Sequence, residues 1–138
     1  MSDETRAVVA DLMGRIVAGD PERVAELFAE PVDWLLSWPE PAELPSDVPW
    51  IRPRRTRADV ADHFRTLAEH HVPELNGTTV SDVLVDGTDA VVVGEIVQTV
   101  RRTGVAYRSP FALRLTVEGG LITRYHIYED SLTVARSV

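Results

Sequence analysis

The punctuation of the C-terminal half constrains this chain most. Between Thr78 and Leu132, four stretches rich in apolar residues are separated by Asp86-Gly87, Thr103-Gly104 and Glu118-Gly119-Gly120. Glycine at such points supplies the positive φ that tight hairpins require. The stretches are Thr78 to Val85, Ala90 to Arg101, Val105 to Val117 and Leu121 to Leu132. Successive strands joined this tightly pair as an antiparallel meander. A sheet of this size needs cover on one face, and the residues ahead of it supply candidates.

Thr5 to Val17 carries Val8, Val9, Leu12, Met13, Ile16 and Val17 at the spacing of an amphipathic helix. Gly19 suits the residue that ends it, and Asp20-Pro21 reads as N-cap and first turn of a second helix to Ala29. Val32 to Trp38 is a short strand candidate. Thr56-Arg57-Ala58-Asp59 resembles a capping box and opens a third helix to about His70, with Val60, Phe64, Leu67 and His71 as candidates for its buried stripe. Helices gathered before a run of strands predict an α+β domain spanning residues 1–138, with the helices on the concave face of one curved, mainly antiparallel sheet. Between Pro31 and Pro53 six prolines exclude helix and central strand over most of the span. That span nevertheless holds Trp34, Trp38 and Trp50, all the tryptophans of the chain. It is expected to be an ordered loop over an apolar surface, either closing the core or walling a pocket.

The order of elements, with Ala18-Gly19-Asp20-Pro21, Val24-Ala25-Glu26-Leu27-Phe28-Ala29, Glu118-Gly119-Gly120-Leu121-Ile122 and Tyr128-Glu129-Asp130, resembles the nuclear-transport-factor-2-like superfamily. That fold is a cone-shaped α+β barrel. Within it the chain looks most like the SnoaL-like polyketide cyclases, which use a carboxylate on the last strand as base for an aldol closure. Asp130 stands at the matching place. The resemblance to ketosteroid isomerases is weaker at the site: the positions of their base, tyrosine and second aspartate fall near Leu36, Leu12 and Phe111. In limonene-epoxide-hydrolase-like enzymes the Asp-Arg-Asp set would match Asp130, but Ile96 and Gln98 replace the others. The family implies cofactor-independent chemistry, so no cofactor is expected.

On the last strand, Arg124, His126, Tyr128 and Asp130 alternate onto one face, and Tyr125 and Ile127 onto the other. The first face is expected to line a pocket, with Asp130 as base and His126 and Tyr128 as donors. Four residues span ~13 Å along a strand, so His126 and Asp130 form no dyad within it. The bland alternatives are a satisfied core histidine and an aspartate that caps a short C-terminal turn or pairs with an arginine. If Thr103-Gly104 is a two-residue loop, Gln98 lies opposite Ser109 and Ile96 opposite Phe111. Tyr107, Ser109, Phe111 and Leu113 then share the pocket side, whereas a one-residue slip would bring in Glu95. The expected substrate contacts are Trp34, Trp38, Trp50, Phe64, Gln98, Tyr107, Ser109, Phe111 and Arg124. Asp33 and Glu40 are expected as exposed loop charges. Arg52, Arg54, Arg55 and Arg57 form a solvated cluster, or one that attracts a substrate anion.

The formal charge of -8 argues against a nucleic-acid footprint. The chain has no cysteine, and His63, His70 and His71 lack metal-ligand spacing, so no metal is expected. No apolar run approaches the ~20 residues of a membrane span, and the acidic N-terminus is unlike a signal peptide. A cytoplasmic protein with no membrane partner is expected. Its ligand is a small hydrophobic substrate, bound in a cyclase, an isomerase, an epoxide hydrolase or a non-catalytic binding module. Val91, Val93 and Val97 on the outer sheet face predict a homodimer.

Overall fold

A computed structural model describes residues 2–38 and 48–138. Helix α1 (Ser2–Ala18) ends at Gly19, whose φ of 79° is the left-handed conformation expected there. Asp20 caps α2 (Pro21–Ala25), accepting from the amides of Glu22 and Arg23. This helix stops four residues before the predicted end. The chain extends early because the Leu27 carbonyl accepts from the Ile122 amide at 2.8 Å, which starts strand β1 (Phe28–Leu36). Sheet pairing here outcompetes helical periodicity. Helix α3 (Arg57–His70) opens with the full capping box, Thr56 and Asp59 bonding each other's backbone.

Four strands follow: β2 (Thr79–Asp86), β3 (Asp89–Thr99), β4 (Ala106–Glu118) and β5 (Leu121–Glu129). A short helix α4 (Ser131–Ser137) closes the chain where the sequence suggested that the last strand continues. The sheet order is β1-β5-β4-β3-β2, antiparallel except for the parallel pairing of β1 with β5. This is the predicted α+β cone: helices over one side of an open, curved sheet.

The core lies between that concave side and the helices. Val9 and Leu12 of α1, Val24 of α2 and Val60 of α3 are fully buried against Val92, Leu113, Leu115 and Ile122 of the sheet. Burying each such side chain contributes about 1.5–3 kcal/mol. Gly94 marks the tightest point, where β2 carries a bulge between Val80 and Asp82. A Cβ there would overlap the Thr79 carbonyl oxygen and press on the Phe111 ring. The register between β3 and β4 is two residues from the predicted one: Gln98 pairs with Tyr107, Ile96 with Ser109 and Gly94 with Phe111. The Thr103-Gly104 connection is longer than a two-residue loop, but an even shift keeps every side chain on its face. Gln98 therefore stays on the concave side. Glu95 is outside, paired with Arg108 at 2.6 Å. Among the described residues, no helix is long and apolar enough to cross a membrane.

Candidate functional site

Strand β5 decides which side chains enter the cone, and it does so in the opposite phase to the expectation. Tyr125, Ile127 and Glu129 pair with Leu115, Leu113 and Phe111 and share their concave face. Arg124, His126 and Tyr128 lie on the convex face. The physical reason is plain: the apolar members of an alternating strand face the core, and Tyr125 and Ile127 are those members. Polar richness of the other face reflects an outer surface.

The four residues expected to wall the pocket are therefore elsewhere. Asp130 has left the sheet and is the N-cap of α4. Its carboxylate accepts from the Thr133 amide at 3.1 Å and the Thr133 hydroxyl at 2.7 Å. That hydroxyl and amide hold the exposed carboxyl below its ordinary range. His126 Nε2 lies 2.9 Å from Asp33 Oδ1 on neighbouring β1. Arg124 approaches the other Asp33 oxygen at 3.5 Å. Asp33 is thus a strand residue rather than a loop charge, and the His126 bond first, then the Arg124 charge, hold its carboxyl low. Tyr128 is 47% exposed.

What the concave face holds instead is Glu129. Burial pushes its carboxyl up to about 7, and the charge of adjacent Asp130 adds to the rise. Among the described residues its carboxyl has no hydrogen-bond partner. Burial and the Glu129 charge also push up the phenols of Tyr107 and Tyr125, so both stay protonated. Around Tyr125 the aromatic residues converge. Trp34, its partner on β1, stacks on it at 4.3 Å and 9°. Phe28 tilts against it at 5.8 Å, and Phe64 of α3 meets it edge-on at 6.3 Å. The Trp34 indole N–H is buried with no partner. His63, considered from the sequence only as a metal ligand, is buried in this cluster, 4.9 Å edge-on to Trp34, with Nδ1 3.2 Å from the Trp50 carbonyl. Burial, helped by the Arg54 charge, lowers it to about 3, so it is neutral.

A second polar group lies toward the β3–β4 turn. His71, the C-cap of α3, is buried beneath Trp50 at 4.4 Å. Its Nδ1 is 2.7 Å from the Leu67 carbonyl and its Nε2 3.1 Å from the Tyr107 hydroxyl. That hydroxyl lies 2.7 Å from the Gln98 amide. Burial holds His71 below the ordinary histidine range. Ser109 is fully buried and satisfied: it receives the Asp130 amide and donates to the Pro110 carbonyl. Trp38 is half-buried at the edge of the core. Glu40 and the centre of the tryptophan loop lie outside the described residues.

The arginine cluster is dispersed. Arg54 pairs with Asp62, and Arg57 donates to the Phe28 carbonyl. Arg52 donates to the carbonyls of Val48 and Ile51. Among the described residues, no group of His, Cys, Asp and Glu has the arrangement to hold a metal ion.

The model of the SnoaL-like domain matches residues 9–125. The chain belongs to the SnoaL-like family. Solved structures agree in fold. A nuclear-transport-factor-2-like protein of unknown function from Burkholderia pseudomallei superposes with a TM-score of 0.81 at 17% identity, over 100% of this chain and 98% of that one. A second, from Burkholderia thailandensis, gives 0.79 at 22% identity over 96% and 95%. A candidate isomerase from Bacillus subtilis gives 0.71 at 17% identity over 98% and 92%. At these identities the likeness concerns the fold. A comparison with curated proteins finds no match.

Of the expected substrate contacts in this SnoaL-like domain, Trp34, Trp50, Phe64, Gln98, Tyr107, Ser109 and Phe111 lie on or against the concave face, where Glu129, Tyr125, His63 and His71 join them. Glu129 was findable. It shares strand parity with Tyr125 and Ile127, and that apolar pair was the better guide to the inside than the polar trio.

Proposed function

We propose that this SnoaL-like domain performs proton-transfer chemistry on a small, apolar, oxygenated molecule, with Glu129 as the base. The observation that supports this most is a carboxyl near pKa 7, unpaired among the described residues, on an aromatic-lined concave face. A free glutamate is too weak a base, and burial brings its proton affinity to the operating pH. Glu129 would take a proton from a carbon α to a carbonyl, leaving the electron pair in an enolate. Among the described residues the Tyr125 hydroxyl and the Trp34 indole N–H have no partner, and as donors they suit the developing oxyanion. Returning the proton to another carbon would be isomerisation. Attack of the enolate on a second carbonyl within the molecule would be an aldol cyclisation. The candidate isomerase of the same fold fits this class of chemistry.

The test is solvent-deuterium uptake by a panel of apolar ketones, followed by mass spectrometry. Exchange should fall about 10²-fold or more in Glu129→Gln. Equal exchange in that variant would sink the role of Glu129. The packing of Trp34 onto Tyr125 favours a second reading, a binding module. Saturable ketone binding with no exchange by the unaltered protein would support it.

We also infer a homodimer through the convex face. Leu84 and Val91, then Val93, Ala112 and Tyr128, form adjoining cross-strand rows there. Leu84 is 61% exposed. The ion pairs Glu95–Arg108, Asp89–Arg114 and Asp33–Arg124 surround this surface. Light scattering at micromolar concentration should give twice the chain mass, and a monomer would refute it.

A further inference from the structure

The hydrogen bonds around Tyr107 obey a strict proton inventory. The Leu67 carbonyl can only accept, so His71 Nδ1, 2.7 Å away, carries a hydrogen. A neutral imidazole has one N–H, so Nε2 is then a bare acceptor. Tyr107, 3.1 Å from Nε2, must donate its single proton there. It has none left for Gln98, 2.7 Å on the other side. The contact survives only if the Gln98 amide turns its N–H toward the phenol oxygen. The two ends of an amide are equivalent in shape, so the turn costs no packing. The opposite polarity, with Tyr107 donating to Gln98, requires both imidazole nitrogens to carry hydrogens. It would place a cation in a buried site where the neighbouring charge acting on it is His70, which opposes it.

We infer that Gln98 is a specificity-determining residue, presenting its carbonyl oxygen into the concave space to select ligands that carry a hydrogen-bond donor. The polarity is imposed from behind by the Leu67–His71–Tyr107 chain. Gln98 is on the concave face, half-buried, and among the described residues makes no hydrogen bond at the end of the amide remote from Tyr107. This rests on the reading of the concave face as the ligand site and adds the chemistry of one subsite: a hydroxyl or N–H fits, an ether or ester oxygen does not. Tyr107 and His71 are positioning residues, because they act through Gln98.

Two measurements on the full chain test it, and neither depends on turnover, so failure of Glu129 as base would leave them unaffected. Nitrogen-15 spectra of the histidines should show His71 protonated at Nδ1 and bare at Nε2, with a Gln98 amide proton close to the Tyr107 ring. A hydrogen on Nε2 would overturn the polarity. Binding of phenol and anisole, matched in shape but differing in the donor, is then followed by shifts of concave-face resonances. Phenol should bind about five- to tenfold more tightly. Gln98→Met, similar in length, should reduce that preference to less than about twofold while leaving anisole affinity in place. Equal affinities in the unaltered protein, preference for anisole, or failure of both to bind would refute the subsite.

Discussion

Replacing Glu129 by glutamine isolates one quantity, the cost of holding a carboxylate on the concave face. The two side chains have the same shape, and the variant has no charge to lose. In the unfolded chain the carboxyl ionises near 4.5, and in the fold at about 7. Between those values the folded state binds more protons than the unfolded state, so stability falls as pH rises through the window. Below the window the group costs nothing, and above it the full penalty of about 3 kcal/mol applies, reduced to about 2–3 by the part of the group that water reaches. Urea unfolding of both proteins at about pH 4.5 and about pH 8 measures this, because all other titrating groups cancel in the difference. The variant should gain about 2–3 kcal/mol relative to the unaltered protein on going to the higher pH. A difference that stays within about 0.5 kcal/mol would refute the burial argument, and with it the reason for choosing Glu129 as base.

His63 acts with the opposite sign. Its folded value is lowered from 6.5 to about 3, so the stability it contributes is present above 6.5 and is lost as pH falls toward 3. A histidine proton resonance at residue 63 that fails to titrate down to pH 5 checks it, and an ordinary titration near 6.5 would contradict it. Asp130→Ala removes the cap of α4 and should cost about 1 kcal/mol by denaturant unfolding. Asp130→Asn keeps a capping oxygen but removes the charge beside Glu129, so the Glu129 carboxyl, followed by carbon-13 NMR, should titrate lower. Gly94→Ala should cost about 3 kcal/mol or prevent folding, since the added methyl meets backbone at Thr79.

Much of this fold was legible because its signals are local. The capping box at Thr56, the Asp20-Pro21 start and the glycine turns act within a few residues, and each appears where it was read. The site was less legible because face assignment is a tertiary property. His126, Tyr128 and Asp130 look like a polar pocket wall until Asp33 arrives on β1 to claim His126 and Thr133 claims Asp130. Alternation alone states that two faces exist. Which is inside depends on where the helices pack, and Tyr125 with its aromatic neighbours settles it. The early end of α2 has the same origin, a strand partner more than ninety positions downstream.

The parallel pairing of β1 with β5 has a kinetic corollary. The meander β2–β5 can zip through its turns, each step adding contacts between residues close in sequence. Docking β1 joins positions such as Asp33 and His126, 93 residues apart, and must close that long loop before any bond repays the entropy. The Trp34–Tyr125 stack forms across this same junction. Trp34 fluorescence should therefore report the slowest phase of refolding, after strand formation is complete by far-ultraviolet circular dichroism. In that order of events the aromatic wall of the cone is the last part of the molecule to acquire its shape.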